Sequence, residues 1–179
     1  MARVLLLFST TDGQTERIAG RLREALQSSG HRVTLRRAEE RGAFDAIAAH
    51  DAVVVGAAIR YGHHSRRLER EVRRNLAGIE GRPNAFFSVS LSAGGPGANP
   101  EHVAEYLRDF AARTGWQARR TATFAGALLY RRYNPLIRLL MRIIVGSAGG
   151  ETDTSRNYEY TDWQAVERLA AEFVADLPA

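Results

Sequence analysis

The sequence predicts an α/β fold, a five-stranded parallel sheet doubly wound with helices on both faces. Three observations carry this. Short apolar runs alternate along the chain with segments whose apolar residues recur at helical spacing. Ala52 to Val55 is apolar without interruption, as a strand covered on both faces must be. Each parallel crossover has to traverse one face of the sheet, and does so right-handedly, so repeated strand–helix units clothe both faces.

Taken in order, Val4 to Phe8 is the first strand, and Gln14 to Ser28 is a helix with Ile18, Leu22, Ala25 and Leu26 on one face. Val33 to Leu35 is a short strand, Phe44 to Ala48 a brief helix and Ala52 to Val55 the third strand. The next helix, Ser65 to Leu76, turns Leu68, Val72 and Leu76 toward the sheet and a row of arginines toward water. Asn84 to Leu91 is the fourth strand, and Pro100 to Arg113 a helix with Val103, Leu107 and Phe110 inward. Thr121 to Leu128 is the fifth strand and Trp163 to Leu177 the closing helix. Residues 130–162 intervene between the last two, far more than the roughly 2 to 6 residues usual for such a connection. They are expected to form a functional insertion within a single domain spanning residues 1–179. In a sheet of this kind ligands bind at the carboxyl ends of the strands, which directs attention to the loops after strands one, three and four.

Composition narrows the chemistry. With no cysteine among 179 residues, disulfides, thiolate metal sites and cysteine nucleophiles are excluded, and redox chemistry requires a bound cofactor. His63 and His64 are adjacent and lack partners at ligand spacing, so no metal is expected. The net charge is +5, and every one of the 25 basic residues is Arg. Guanidinium suits carboxylate and phosphate, but only an Arg near a site counts toward function. A nucleic-acid role would leave the turn after strand one without a purpose, and none is expected. The first strand begins within three residues and no apolar run approaches the roughly 20 residues of a membrane span, so the expected location is cytoplasmic.

That turn, Ser9 to Thr15, carries the chemistry. An apolar strand runs into a hydroxyl-rich segment that opens a helix, where free first-turn amides and the helix dipole favour an anion. Neither GxxxxGK nor GxGxxG is present, so a monophosphate cofactor fits best. Gly13 allows close backbone approach. Asp12 is expected to cap the helix with its carboxylate turned away from the anion.

The run from Ser9 to Thr15, followed by Ala19, resembles the FMN phosphate loop of the flavodoxin family. Three further stretches narrow the resemblance: Ala58 to His63; Ala125 to Leu128 with Tyr130, Arg132 and Tyr133; and Gly149 to Thr154 before Tyr160 to Trp163. Together they resemble the long-chain, flavodoxin-like family of bacterial menaquinone-dependent protoporphyrinogen IX dehydrogenases of haem biosynthesis. The resemblance implies strand order 2-1-3-4-5, FMN as cofactor, protoporphyrinogen IX as substrate and a membrane quinone, menaquinone or ubiquinone, as acceptor. It implies that Thr10, Thr11, Asp12, Gly13, Gln14 and Thr15 surround the phosphate. Ile59, Arg60, Tyr61 and Gly62 would meet the flavin, as would Ser88, Leu91, Ser92, Ala93 and Gly94. Gly150, Glu151 and Thr152 join the cofactor site by their family-specific spelling. Arg60 and Tyr61 are the catalytic candidates; Arg131 and Arg132, with Arg60, are candidates for the propionates of the macrocycle. The family has Pro at the position of Arg131 and a basic residue at that of Leu129 in many members, so the entrance to the insertion differs here.

Asn134 to Val145 opens with a capping Asn and a Pro at the first helical position and is apolar almost all round. Arg138 and Arg142, four apart, share one face. This suits a helix lying in an anionic membrane surface with its guanidinium groups at lipid phosphates, giving peripheral association with the cytoplasmic face of the inner membrane. A buried helix, or one covered by a second subunit, is the alternative. For the whole chain the alternatives are a flavodoxin-type electron carrier and an NAD(P)H-quinone reductase.

Overall fold

Leu5, Leu6 and Leu7 are all fully buried because β1 (Arg3–Ser9) runs through the sheet interior, where successive side chains point to opposite faces and both faces are covered. In the computed structural model, which describes residues 1–147 and 149–178, β1 pairs in parallel with β2 (Arg32–Arg37) and with β3 (Ala52–Ala58). β4 (Asn84–Ser90) and β5 (Arg120–Ala125) continue the sheet, giving the order β2-β1-β3-β4-β5 with every neighbour parallel.

Alternate residues of these strands found two cores, one on each face of the sheet. On one face Leu6, Val54 and Phe87 pack beneath α1 (Gln14–Ser28) and the closing helix. On the other, Leu5, Val53 and Phe86 meet Leu68, Val72, Phe110 and Trp116 from α2 (Arg66–Arg74) and α4 (Pro100–Thr114), with α3 (Leu76–Glu80) between those helices in the chain. Gly56 is required by the first of these cores. A Cβ there would lie 2.0 Å from Cζ of Phe87, whose ring lies over β3.

Three elements depart from the sequence expectation. The helix expected over Ser65 to Leu76 ends at Arg74 and restarts as α3; at the junction Asn75 caps α2, its side-chain amide donating to the Glu71 carbonyl at 2.9 Å beside its own backbone amide at 3.1 Å. The brief helix near Phe44 is a 3₁₀ turn over Asp45–Ala49. The fifth strand does not run on to Leu128. At Gly126 the amide donates to Ser90 and the carbonyl accepts from Tyr160, so the chain changes partners. Beyond it β6 (Ala127–Leu128) pairs antiparallel with β7 (Tyr158–Glu159) in a separate ribbon.

Between β6 and β7 lies α5 (Pro135–Ser147), begun by Asn134, whose Oδ1 accepts from the Ile137 amide at 2.9 Å. It ends in a Schellman closure: the Gly150 amide donates to Val145 and the Gly149 amide to Gly146, with Gly149 at φ 73°. Val145 packs with Leu128 and Tyr130 in a small third core. α6 (Trp163–Val174), capped by Asp162, covers the α1 face.

Candidate functional site

Strand register decides which loops meet. Ser9 lies opposite Ala57, Ala58 opposite Val89, and Ser90 opposite Ala125, so the loops after β1, β3, β4 and β5 leave one rim of the sheet side by side. β1 and β3 are neighbours here although α1 and β2 intervene in sequence, the arrangement that opens a crevice between diverging loops. A cavity of about 260 Å³ occupies it, lined by Ser9, Thr11, Ala58, Arg60, Tyr61 and His64 among others. A larger cleft of about 370 Å³ lies toward the amino ends of β4 and β5, beside Phe86, Leu107 and Trp116. It is mostly apolar and away from the rim, so the smaller one is the candidate site.

The β1–α1 turn is built around an unfilled set of donors. Gly13 is at φ 95° and is the residue preceding α1, where no side chain caps the helix. Its own amide donates to Thr10 Oγ1 at 3.0 Å, which curls the turn. The first-turn amides beyond it have no carbonyl a turn earlier to pair with. Thr15, 1 % exposed, has a hydroxyl with no hydrogen-bond partner among the described residues. Leaving a buried hydroxyl unpaired costs roughly 1–3 kcal/mol, and a bound anion would remove that cost. Asp12 is not the cap expected of it, since Gly13 takes that place. Crowding by the surrounding loops holds the Asp12 carboxyl above its ordinary range against the pull of Arg60 and Arg132.

The insertion reaches this turn twice. Nη1 of Arg132 donates to the Asp12 carbonyl at 3.0 Å and lies 2.8 Å from where a Cβ on Gly13 would stand. The Gln14 side chain, 5 % exposed, donates to Glu159 Oε1 at 2.7 Å and to Thr161 Oγ1 at 2.9 Å. Thr161 in turn donates to the Ala125 carbonyl at 2.7 Å. Gln14 therefore offers a ligand its amide, while its side chain rivets α1 to β7. Arg17 reinforces the joint through Glu159 at 3.0 Å.

After β3 the chain makes a tight hairpin in which the amides of Arg60 and His63 donate to each other's carbonyls. Tyr61 (φ 52°) and Gly62 (φ 80°) form its tip with both residues left-handed. A left-handed tyrosine is strained, and strain of this kind clusters at functional sites. The turn holds the Tyr61 ring out from the protein, 74 % exposed, with the Arg60 guanidinium 5.1 Å from its centroid. Nη2 of Arg60 also donates to the Tyr61 hydroxyl at 3.4 Å, and this bond raises the Arg60 pKa still further, so the cation persists.

The other residues singled out in the sequence are placed differently. Ser88 is not in the loop. It is buried in β4, 2.9 Å from Nε2 of His64, itself 2 % exposed and packed edge-on against the stacked rings of Phe86 and Phe110. Burial pushes the His64 pKa down to about 3, so the imidazole is neutral. Leu91, Ser92 and Ala93 form a 3₁₀ turn at the rim, and Gly94 passes against Ala125. Gly150 packs on Pro96, where a Cβ would come within 2.3 Å, and Glu151 accepts from the Tyr160 hydroxyl through its carboxylate and from Tyr130 through its carbonyl. Gly150 and Glu151 thus secure the insertion, and Thr152, exposed, lies against Gly146 at the end of α5. Arg131 is exposed and bonded through its amide to Asn157. Sequence reasoning missed Glu159 and Thr161 as partners of Gln14, for no local pattern links positions some 145 residues apart.

On α5, Leu136, Leu139, Leu140, Ile143 and Ile144 are all exposed, from 47 % to 77 %. Arg138 corrects the expectation of two guanidinium groups facing out together. Its Nε and Nη2 donate to the carbonyls of Tyr130 and Tyr133 at 3.0 and 3.2 Å, on the inward side, while Arg142 is exposed. Among the described residues no helix is long and apolar enough to cross a membrane.

Comparison with known proteins agrees with this geometry. Residues 5–155 match the Flavodoxin domain family. A protoporphyrinogen IX dehydrogenase (quinone) of Escherichia coli strain K12 is 37 % identical over 178 residues, covering 95 % of this chain and 93 % of that protein. A protein of the same name from Leishmania major is 36 % identical over 174 residues, covering 97 % of this chain and 75 % of its own. Among solved structures, oxidised flavodoxin 1 of Bacillus cereus superposes with a TM-score of 0.60 at 14 % identity, over 98 % of this chain and 99 % of that one.

Proposed function

This chain belongs to the flavodoxin-domain family, and on that premise we propose that it binds FMN at the β1–α1 turn and oxidises protoporphyrinogen IX with a quinone as electron acceptor. The observation that carries the cofactor is the buried, unpartnered Thr15 hydroxyl beside an uncapped helix start. The full-length similarity to the Escherichia coli dehydrogenase supports the substrate and the acceptor.

The residues present fit FMN. The amides after Gly13 and the hydroxyls of Thr11 and Thr15 would hold its phosphate, and the rim loops around Ile59 to Gly62 and Leu91 to Gly94 would flank its ring. Bound there, FMN supplies a ring able to take up and release hydride equivalents. The protein's own contribution is placement and charge. Tyr61 offers an aromatic face fixed by its strained turn, and Arg60 a permanent cation beside it that balances negative charge gained on reduction. His64, neutral and bonded to Ser88, ties the hairpin to β4 and fills the space beneath it.

The exposed apolar side of α5, with Arg142 at its edge, supports peripheral seating on an anionic membrane surface, where a greasy quinone is soluble. In this reading residues 1–179 act as one unit whose insertion brings the cofactor to the bilayer.

Purified protein should be yellow and should oxidise protoporphyrinogen anaerobically only when a menaquinone analogue is present. A colourless protein that takes up no added FMN refutes the reading. Flavin without turnover points to an electron carrier, and turnover driven by NAD(P)H points to a quinone reductase.

A further inference from the structure

We propose that Arg132, delivered by the insertion, is the cationic partner of the cofactor phosphate, so that cofactor and insertion hold each other in place. The inference rests on the FMN reading above but concerns a residue whose expected place was at the substrate. Nη1 of Arg132 donates to the carbonyl of Asp12, the residue just before the φ-positive Gly13, and lies 2.8 Å from where a Cβ on Gly13 would stand. A guanidinium has donors left over after one such bond. The same turn carries the first-turn amides of α1 and the Thr15 hydroxyl, which has no hydrogen-bond partner among the described residues.

Charge makes the same demand. A phosphate monoester at this turn would bring nearly two negative charges close to the Asp12 carboxylate, which helix amides alone do not offset. Arg132 and Arg60 are the cations that act on Asp12. Arg60 is engaged with Tyr61 at the hairpin tip, so of these two Arg132 is the one that touches the phosphate turn; Arg37 reaches only the start of the turn, donating to the Thr10 carbonyl at 3.5 Å. The arrangement also explains why Gln14 spends its buried side chain on Glu159 and Thr161. That joint and Arg132 are two clamps from one insertion onto one turn, and an anion between them tightens both.

The test separates phosphate from ring by comparing FMN with riboflavin, which lacks the phosphate. Binding of each to apoprotein is followed by flavin fluorescence quenching for wild type, Arg132→Gln and Arg132→Lys, with circular dichroism melts as a check on folding. For Arg132→Gln, FMN affinity should fall about 10- to 100-fold, more at low salt, while riboflavin affinity is unchanged. Arg132→Lys should recover most of the loss, and Arg132→Gln combined with Asp12→Asn should recover part of it. FMN should also slow proteolytic cleavage within residues 130–162 in wild type more than in Arg132→Gln. Equal losses for FMN and riboflavin would make Arg132 merely structural and overturn the inference. Unchanged FMN affinity with a raised KM for protoporphyrinogen would return Arg132 to the substrate and also overturn it. A wild-type protein that binds neither flavin defeats the FMN reading itself, a result distinct from both.

Discussion

His64 gives a quantitative handle on how the rim is supported. It is 2 % exposed, packed edge-on against the stacked Phe86 and Phe110 rings, and joined to Ser88 at 2.9 Å. Its folded-state pKa of about 3 lies well below the ordinary 6.5, chiefly because burial penalises the imidazolium. The unfolded chain therefore takes up a proton that the native state refuses, and stability falls as pH drops through 6.5 and continues to fall toward about 3. Between about pH 7 and pH 5 this single group should remove about 2 kcal/mol, since one pKa unit corresponds to about 1.4 kcal/mol. For a chain of this size that is a melting-temperature drop of roughly 4–8 °C. His64→Gln keeps a donor and an acceptor for Ser88 but cannot titrate. Urea unfolding of both proteins at the two pH values isolates the term, because carboxylates elsewhere contribute equally to each. Parallel pH dependence in wild type and His64→Gln would refute the argument.

Three further outcomes are expected. Thr15→Val should leave the apoprotein as stable as wild type or up to about 1 kcal/mol more stable, because it deletes a buried unpaired hydroxyl, yet should weaken FMN about tenfold by titration calorimetry. Gly56→Ala should destabilise by about 1–3 kcal/mol in chemical denaturation, since the new methyl collides with the Phe87 ring in the sheet interior. Leu139→Glu with Ile143→Glu should abolish co-sedimentation with vesicles of anionic lipid and leave the melting temperature within about 1 °C, because both side chains are exposed and support no core.

The sheet was legible because its strands are short apolar runs of the kind only a doubly covered sheet explains, and Leu5 to Leu7 and Ala52 to Val55 sit where their patterns put them. The tight turn that opens α1 was legible from Gly13 and its hydroxyl neighbours. What escaped was set by contacts distant in sequence. Nothing near Gly126 signals that its amide and carbonyl serve different sheets. Arg132 carries no mark of its reach to Asp12, 120 residues away. Asp12 looked like a cap because Asp is a frequent one, but the left-handed Gly13 had already turned the chain. Arg138 shows the limit of helical-wheel reasoning. Position assigned it the outer face with Arg142, and hydrogen bonds to the carbonyls of Tyr130 and Tyr133 drew it inward.

α5 is fastened at both ends. Near its start Arg138 grips the carbonyls of Tyr130 and Tyr133, and beyond its last turn Gly150 is wedged onto Pro96 of the loop after β4. On the proposed seating, a beam bolted in this way would hold the membrane surface at a constant height from the rim crevice, and the quinone would have to travel that gap itself instead of being fetched by a moving arm.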